Sequence, residues 1–259
     1  MIASLKAEWY KLTHRAYPFI FLLFSIGCAV LIVLVTKVVL PMMERFNMGY
    51  DAGQVLDMGF YASSNIVWYL LIITEDIAFT SEYKFRTMKN LITRGENRTK
   101  LYLSRLCMAC MVLVIGVVVV TLTYMVSVRI FYGADPSLTL DEYLSLAKQV
   151  LCGLFLWIGS QSLIHMMAFL IQNEMLWGCG YLAIFSFLPN GIWILKSVFG
   201  DNVVLDLFSD SLLTTQMTNL VSDGVQDART ILTCFLMGAA YVIVTTVVGI
   251  FFFRKKEVR

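Results

Sequence analysis

Charge is scarce in this chain: Asp, Glu, Lys and Arg make up 15% of its 259 residues, against 59% hydrophobic residues and a mean hydropathy of +0.75. A soluble domain of this length has too little interior for that much apolar surface, so the composition describes a polytopic membrane protein. Catalytic signatures are lacking too. No G-x-x-x-x-G-K-[ST] occurs, which excludes a P-loop on this chain, and there is no H-E-x-x-H, no G-x-S-x-G and no intramembrane Asp pair at protease spacing. The six cysteines, Cys28, Cys107, Cys110, Cys152, Cys179 and Cys234, all fall inside apolar runs, so they read as small hydrophobes rather than disulfide partners. Cys107 and Cys110 form a C-x-x-C without a second pair or a nearby His, which leaves no metal-binding set.

What is present is a series of apolar runs of membrane-spanning length, about 20 residues each. They cover residues 17–40, 58–79, 106–128, 150–171, 175–195 and 231–253. Six spans put both termini on one side. That side is set by the one long charged segment, residues 80–105, which carries Lys84, Arg86, Lys89, Arg94, Arg98, Lys100 and Arg105 against only Glu82 and Glu96. By the positive-inside rule this loop is cytoplasmic. Lys6, Lys11, Arg15, Arg254, Lys255, Lys256 and Arg259 then fall on the same side, leaving Lys37, Arg45, Arg129, Lys148, Lys196 and Arg229 in or beside outer loops. Both termini are therefore expected in the cytoplasm, and the protein in the cell membrane.

Residues 1–16 place Ile2, Leu5, Trp9 and Leu12 on one face and Lys6, Lys11 and Arg15 around the other, the pattern of an amphipathic elbow helix lying on the inner leaflet against lipid. Within the charged loop, Phe85, Met88, Leu91 and Ile92 form an apolar stripe, Gly95 offers a left-handed stop, and Asn97 offers a cap for the following span. The stretch reads either as a solvated basic loop that fixes topology or as a docking helix for a cytoplasmic partner. Nothing in the charge pattern points to nucleic acid.

Polar residues inside the spans are few. Glu75 and Asp76 lie near the inner end of the second span, where they either reach water or pair structurally with Lys or Arg of the elbow or of the charged loop, or relay protons or cations. Gln161 and His165 in the fourth span are four apart and share a face, as interhelical hydrogen-bonders or pathway lining. Gln172, Asn173 and Glu174 make a short inner hairpin. The fifth span contains Phe187, Pro189, Asn190 and Gly191, and is expected to be broken near its outer third. Residues 196–230 form the longest outer segment, acidic yet carrying apolar faces too short to span, which reads as a helical lid.

The order of these parts resembles the ABC-2 type permease family, the membrane subunits of ATP-binding-cassette exporters. The elbow LKAEWYKL, six spans, the long first inner loop, the short second one, the helical outer segment and the basic tail all take part. Ser81, Glu82, Thr87, Leu91, Arg94, Arg98, Thr99 and Arg105 match the first-loop pattern; Phe85 and Arg86 precede Thr87 where members often have glycine. The resemblance implies an all-α, type V exporter-like permease without catalytic residues of its own. ATP and Mg would be bound by a partner ATPase subunit. Its contact residues would be Glu82, Phe85, Arg86, Met88, Lys89, Leu91, Ile92 and Arg94 of the coupling loop, with Gln172, Asn173 and Glu174 as a second point. Two copies, or one copy and a paralogue, would enclose a path lined by Gln161, His165, Phe187, Pro189, Asn190 and Gly191. The aromatic, Met-rich spans look most like those of exporters of amphipathic peptides such as bacteriocins or phenol-soluble modulins. Exporters of sodium, drugs or lipids share the layout, and a proton-coupled secondary transporter using Glu75 and Asp76 is the alternative from another class.

Overall fold

The structure is a computed structural model that describes residues 2–44, 52–80, 95, 97–133, 135–171, 173–200, 202–223 and 228–255. Glu82, Phe85, Arg86, Met88, Lys89, Leu91, Ile92, Arg94 and Gln172 lie outside them. Every regular element among the described residues is helical: α1 (Ile2–Thr13), α2 (Ala16–Glu44), α3 (Ala52–Glu75) running into a π-turn (Asp76–Thr80), α4 (Arg98–Tyr132), α5 (Leu140–Ile171), α6 (Glu174–Leu182), a second π-turn (Ala183–Phe187), α7 (Leu188–Phe199), α8 (Val203–Asp210), α9 (Leu213–Asp223) and α10 (Ala228–Lys255).

Local chemistry explains most of the boundaries. The elbow α1 stops where Thr13 Oγ1 donates to Trp9 O and His14 stacks on Tyr10, their centroids 3.8 Å apart. Pro18 sits in the first turn of α2, where a missing N–H costs no helical bond. Gly95 has φ 87°, and Asn97 caps α4 by accepting from Thr99 N at 3.0 Å, both as the sequence suggests. Asn173 caps α6, accepting from Met175 N and Leu176 N. Asp141 and Glu142 occupy the first turn of α5, the favourable end for acidic side chains.

Among the described residues, five stretches are long and apolar enough to cross a membrane: Ala16–Val39, α4, α5, Glu174–Phe199 and α10. The α3 helix is long enough but more polar, with Gln54, Asp57, Ser63, Ser64, Asn65 and Glu75 in its sequence, and it does not join that set. Several helices outrun the apolar runs that announce them. α4 begins at Arg98 rather than near residue 106, and α5 at Leu140 rather than near 150, because their polar first turns are capped and lie beyond the apolar stretch. The fifth span is not broken. It stays helical from Glu174 to Phe199, and the disturbance ahead of Pro189 is absorbed by the π-turn, which leaves Pro189 in the first turn of α7.

The α5 helix is the axis of the bundle. Over half of its apolar membrane-length stretch is buried, against 6% for that of Glu174–Phe199. It packs on α3, α4, α6, α9 and most extensively on α10. At that last crossing Gly159 faces Gly238, and a Cβ on Gly238 would run into the Phe155 carbonyl of α5. Small residues at such a crossing let two helix backbones approach closely, which matters because lipid supplies no hydrophobic drive for helix pairing. The two ends of the bundle are tied differently. At the elbow end Tyr17 Oη donates to Asp76 at 3.2 Å, and Arg98 donates to Phe253 O and Arg254 O at 3.1 Å each, covering the last carbonyls of α10. At the far end Lys37 donates to Phe131 O at 2.8 Å, joining α2 to α4.

Because backbone rather than a flexible side chain blocks the space at Gly238, Gly238→Leu is expected to open the α5–α10 crossing. Overpacking of this kind typically costs about 1–3 kcal/mol. Thermal unfolding in detergent should report a lower midpoint, whereas Gly116→Leu, where a Cβ meets nothing within 4 Å, should leave it near that of the unchanged protein.

Candidate functional site

Two places in the bundle gather polar chemistry. The first is a sealed cluster at the elbow end, built on consecutive residues of α5. Successive residues of an α-helix point about 100° apart, so Ser160, Gln161 and Ser162 address three different neighbours. Ser160 Oγ meets Tyr181 Oη of α6 at 2.8 Å. Thr245 of α10 donates to Ser162 Oγ at 2.8 Å. Gln161 Nε2 donates to Glu75 Oε2 of α3 at 2.8 Å, and its oxygen accepts from Thr74 Oγ1 at 2.7 Å.

One turn further along α5, on the Gln161 face, His165 completes the cluster. Its Nδ1 lies 2.8 Å from Glu75 Oε1 and its Nε2 3.2 Å from Tyr102 O of α4. A carbonyl oxygen only accepts, so Nε2 carries a hydrogen, and a single proton lies between Nδ1 and Oε1. Glu75, Gln161 and His165 are all fully buried. Tyr102 and Phe169 close over the imidazole with ring centroids 4.7 Å away. Arg105 of α4, also buried, donates to Ala78 O within the π-turn at 3.4 Å.

Sequence reasoning expected Glu75 to reach water or to pair with Lys or Arg of the elbow or charged loop. It is instead held by the imidazole and amide of α5, because the last turn of α3 faces the bundle axis, while Asp76, one residue on, turns toward Tyr17. The i, i+4 relation of Gln161 and His165 does bring both to one partner. Thr74, Ser162, Tyr102 and Thr245 were missed; adjacent polar residues within an apolar run, S-Q-S and T-E, were the available signal.

The second place is a cavity of about 330 Å³ toward the far end, walled by α3, the Ala183–Phe187 π-turn with its flanks, and α9. Pro189 and Asn190 line it. The remaining path candidates are dispersed: Gln161 and His165 sit in the sealed cluster, Phe187 is 75% exposed on the bundle surface, and a Cβ on Gly191 would meet nothing within 4 Å. Asn173 and Glu174 are exposed at the elbow end. A narrower groove among α2, α3, α4 and α5 holds about 80 Å³ and is almost wholly apolar, with Trp157 on its wall.

The sealed pair predicts an asymmetric mutational pattern. Removing one partner of a buried ion pair strands the other and typically costs about 3–5 kcal/mol, while replacing both by apolar groups costs much less. Glu75→Leu and His165→Leu are each expected to lower stability strongly, and the double variant to recover a good part of the loss. Unfolding free energies in mixed micelles, compared around the double-mutant cycle, would measure this; additive losses would show that the two side chains do not interact.

The sequence model of the ABC-2 family transporter proteins matches residues 4–190, a stretch that runs from the elbow through the sealed cluster to the π-turn and Pro189. No curated protein matches the sequence. An elbow helix, a bundle of membrane-length helices and a family match over most of the chain leave no ambiguity at this level: the chain belongs to the ABC-2 family of transporter proteins, as a multi-pass membrane permease subunit of the kind that associates with an ABC ATPase subunit.

Proposed function

We propose that this chain is the permease subunit of an exporter in the cell membrane, moving amphipathic peptides outward with ATP hydrolysed, with Mg, on a separate ATPase chain. The permease itself is not an enzyme in this reading. It crosses the membrane six times, α3 included, with both termini cytoplasmic, and it pairs with a second copy or a paralogue. The charged loop would carry the coupling helix, with Asn173 and Glu174 beside its second contact point.

The observation that carries the coupling part is the placement of the sealed cluster. In sequence the charged loop follows the Asp76–Thr80 π-turn and precedes the helix that begins at Arg98. Glu75 directly precedes that turn, Arg105 bonds to it, and Tyr102 lies one turn into that helix. Both stems of the loop thus meet α5 through His165, so a force applied to the loop by an ATPase reaches the bundle axis within two helical turns. A switching segment needs this kind of contiguous contact to bias the rest of a protein.

Three experiments test this reading. Replacing Phe85 and Met88 by Asp is expected to abolish association with a co-expressed ATPase while membrane insertion persists, since a carboxylate forced into an apolar groove costs several kcal/mol. A cysteine placed at Asn97 should react only with reagent on the cytoplasmic side, and one at Asp210 only with reagent outside; labelling of both from one side would remove the six-span topology. The second reading, a proton-coupled transporter, is favoured by the presence of a carboxylate–imidazole pair inside the bundle. Glu75→Gln with Asp76→Asn separates the two: any transport that remains should follow ATP depletion and ignore collapse of the proton gradient, and the opposite dependence would favour the proton-driven alternative.

A further inference from the structure

The cavity near the second π-turn has a chemical character that its position alone does not imply. Five rings line it, Tyr61, Trp68, Tyr69, Tyr181 and Phe185, and among the described residues no Asp, Glu, Lys, Arg or His does. Phe185 is sandwiched in a continuous aromatic wall, 4.9 Å from Trp68 and 4.5 Å from Tyr181 between centroids. Four of the polar side chains of the lining have hydrogen-bond partners within the protein. Ser64 Oγ donates to Tyr61 O at 2.8 Å, Thr218 Oγ1 donates to Thr214 O at 3.0 Å, and Tyr181 Oη is bonded to Ser160. Asn190 Nδ2 donates to Ser186 O at 2.6 Å, which turns its carbonyl oxygen away from that bond.

Pro189 brings no N–H to the ladder, and the π-turn that precedes it puts the Leu188 N–H on Ala183 O, out of the α-helical register. π-turns inside α-helices occur frequently at functional sites. Ring faces and oxygen acceptors, without a cationic group among them, make a lining that attracts positive charge and repels anions. The size sets a further limit. An α-helix with its side chains is about 10–12 Å across, wider than a cavity of about 330 Å³ accommodates, so the space suits one side chain or one small ligand.

We propose that this cavity binds the alkylammonium group of an organic cation, held by the aromatic faces and oxygen acceptors, with no counter-carboxylate among the described lining residues. Two sources present that group: a lysine side chain of an amphipathic peptide, or a free quaternary or primary amine. The first source rests on the peptide-export reading; the binding site itself does not.

Equilibrium binding to the purified full chain in lipid nanodiscs, without ATPase, tests the site directly. The probes are radiolabelled choline, competed by its uncharged isostere 3,3-dimethyl-1-butanol, and a lysine-bearing amphipathic peptide compared with its lysine-acetylated form. Saturable binding is expected for at least one cationic probe, about tenfold tighter than for its uncharged counterpart, the discrimination a desolvated cation–ring contact supplies. Tyr61→Leu and Tyr69→Leu remove rings that are more than half exposed at the rim and so spare the packed interior; together they should weaken binding about tenfold. Thr214→Lys should abolish it by placing a like charge in the lining, and Trp193→Leu, on an exposed ring outside the cavity, should leave it unchanged. Binding of choline but not of the peptide assigns the site to free amines, and binding of the peptide alone assigns it to lysine side chains. Equal binding of charged and uncharged probes, or binding that survives both Tyr variants and Thr214→Lys, overturns the proposal. Because the assay contains no ATPase and no coupling-loop variant, its failure leaves the ABC exporter reading standing, and loss of ATPase association leaves this site standing.

Discussion

The structure depends on the polar hydrogen bonds that radiate from α5. In water, helices associate because apolar faces leave solvent; in a bilayer that drive is largely absent, and close packing and interhelical hydrogen bonds take its place. Ser160, Gln161, Ser162 and His165 supply such bonds to α6, α3, α10 and α4. Each of them also satisfies a group whose exposure to hydrocarbon would be costly, so the bonds specify which helix sits where as well as how firmly. The Gly159–Gly238 approach performs the complementary task by letting α10 come close enough for Thr245 to reach Ser162.

Placement of charge follows the same logic. A carboxylate within the bundle is tolerated when its lone pairs are filled, and Glu75 accepts from Gln161 and shares a proton with His165. Had its partner been a surface lysine, the tie would have been soft and solvated. An imidazole carried on the axial helix makes it internal, short and directional. The cluster adjoins the π-turn that opens into the charged loop, so the stiffest polar contacts stand beside a segment whose hydrogen-bond register already departs from the α-helix.

Much of this architecture was legible in the sequence because its signals are local. Hydropathy located the apolar runs, charge located the loop, and Asn97 and Gly95 act as cap and stop through their own side chain and φ angle. Features assembled from distant residues were not. Glu75 is 90 residues from His165, and no periodicity in either helix indicates that they meet. The cavity joins Tyr61 and Trp68 of α3 to Phe185 of the π-turn and Thr214 of α9, each of which looks like an ordinary member of an apolar face in its own segment. Pro189 misled for a related reason. Its local effect on a helix is to remove a bond, and whether the helix breaks or widens into a π-turn depends on the neighbours that hold both flanks.

Those flanks are held unequally, and this bears on how the cavity wall moves. Before the second π-turn, Tyr181 is buried and bonded to Ser160 of the axial helix. After it, α7 is tied to α8 through Lys196 and Asp206, an ion pair at 2.8 Å whose side chains are 28% and 46% exposed, the class of contact that contributes about 0–1 kcal/mol. Trp193, Val198 and Phe199 of α7 are each 70% exposed, and only Ile192 of that helix is buried. The wall is therefore anchored on the side of Tyr181 and Phe185 and weakly held on the side of Pro189 and Asn190. Among the described residues, the side-chain hydrogen bond from this wall to α5 is made ahead of the π-turn, by Tyr181. In a transporter that arrangement would separate two tasks: the axial cluster would keep the bundle assembled, and the peripheral half of the fifth span, packed less deeply, would be left free to adjust to a ligand in the cavity.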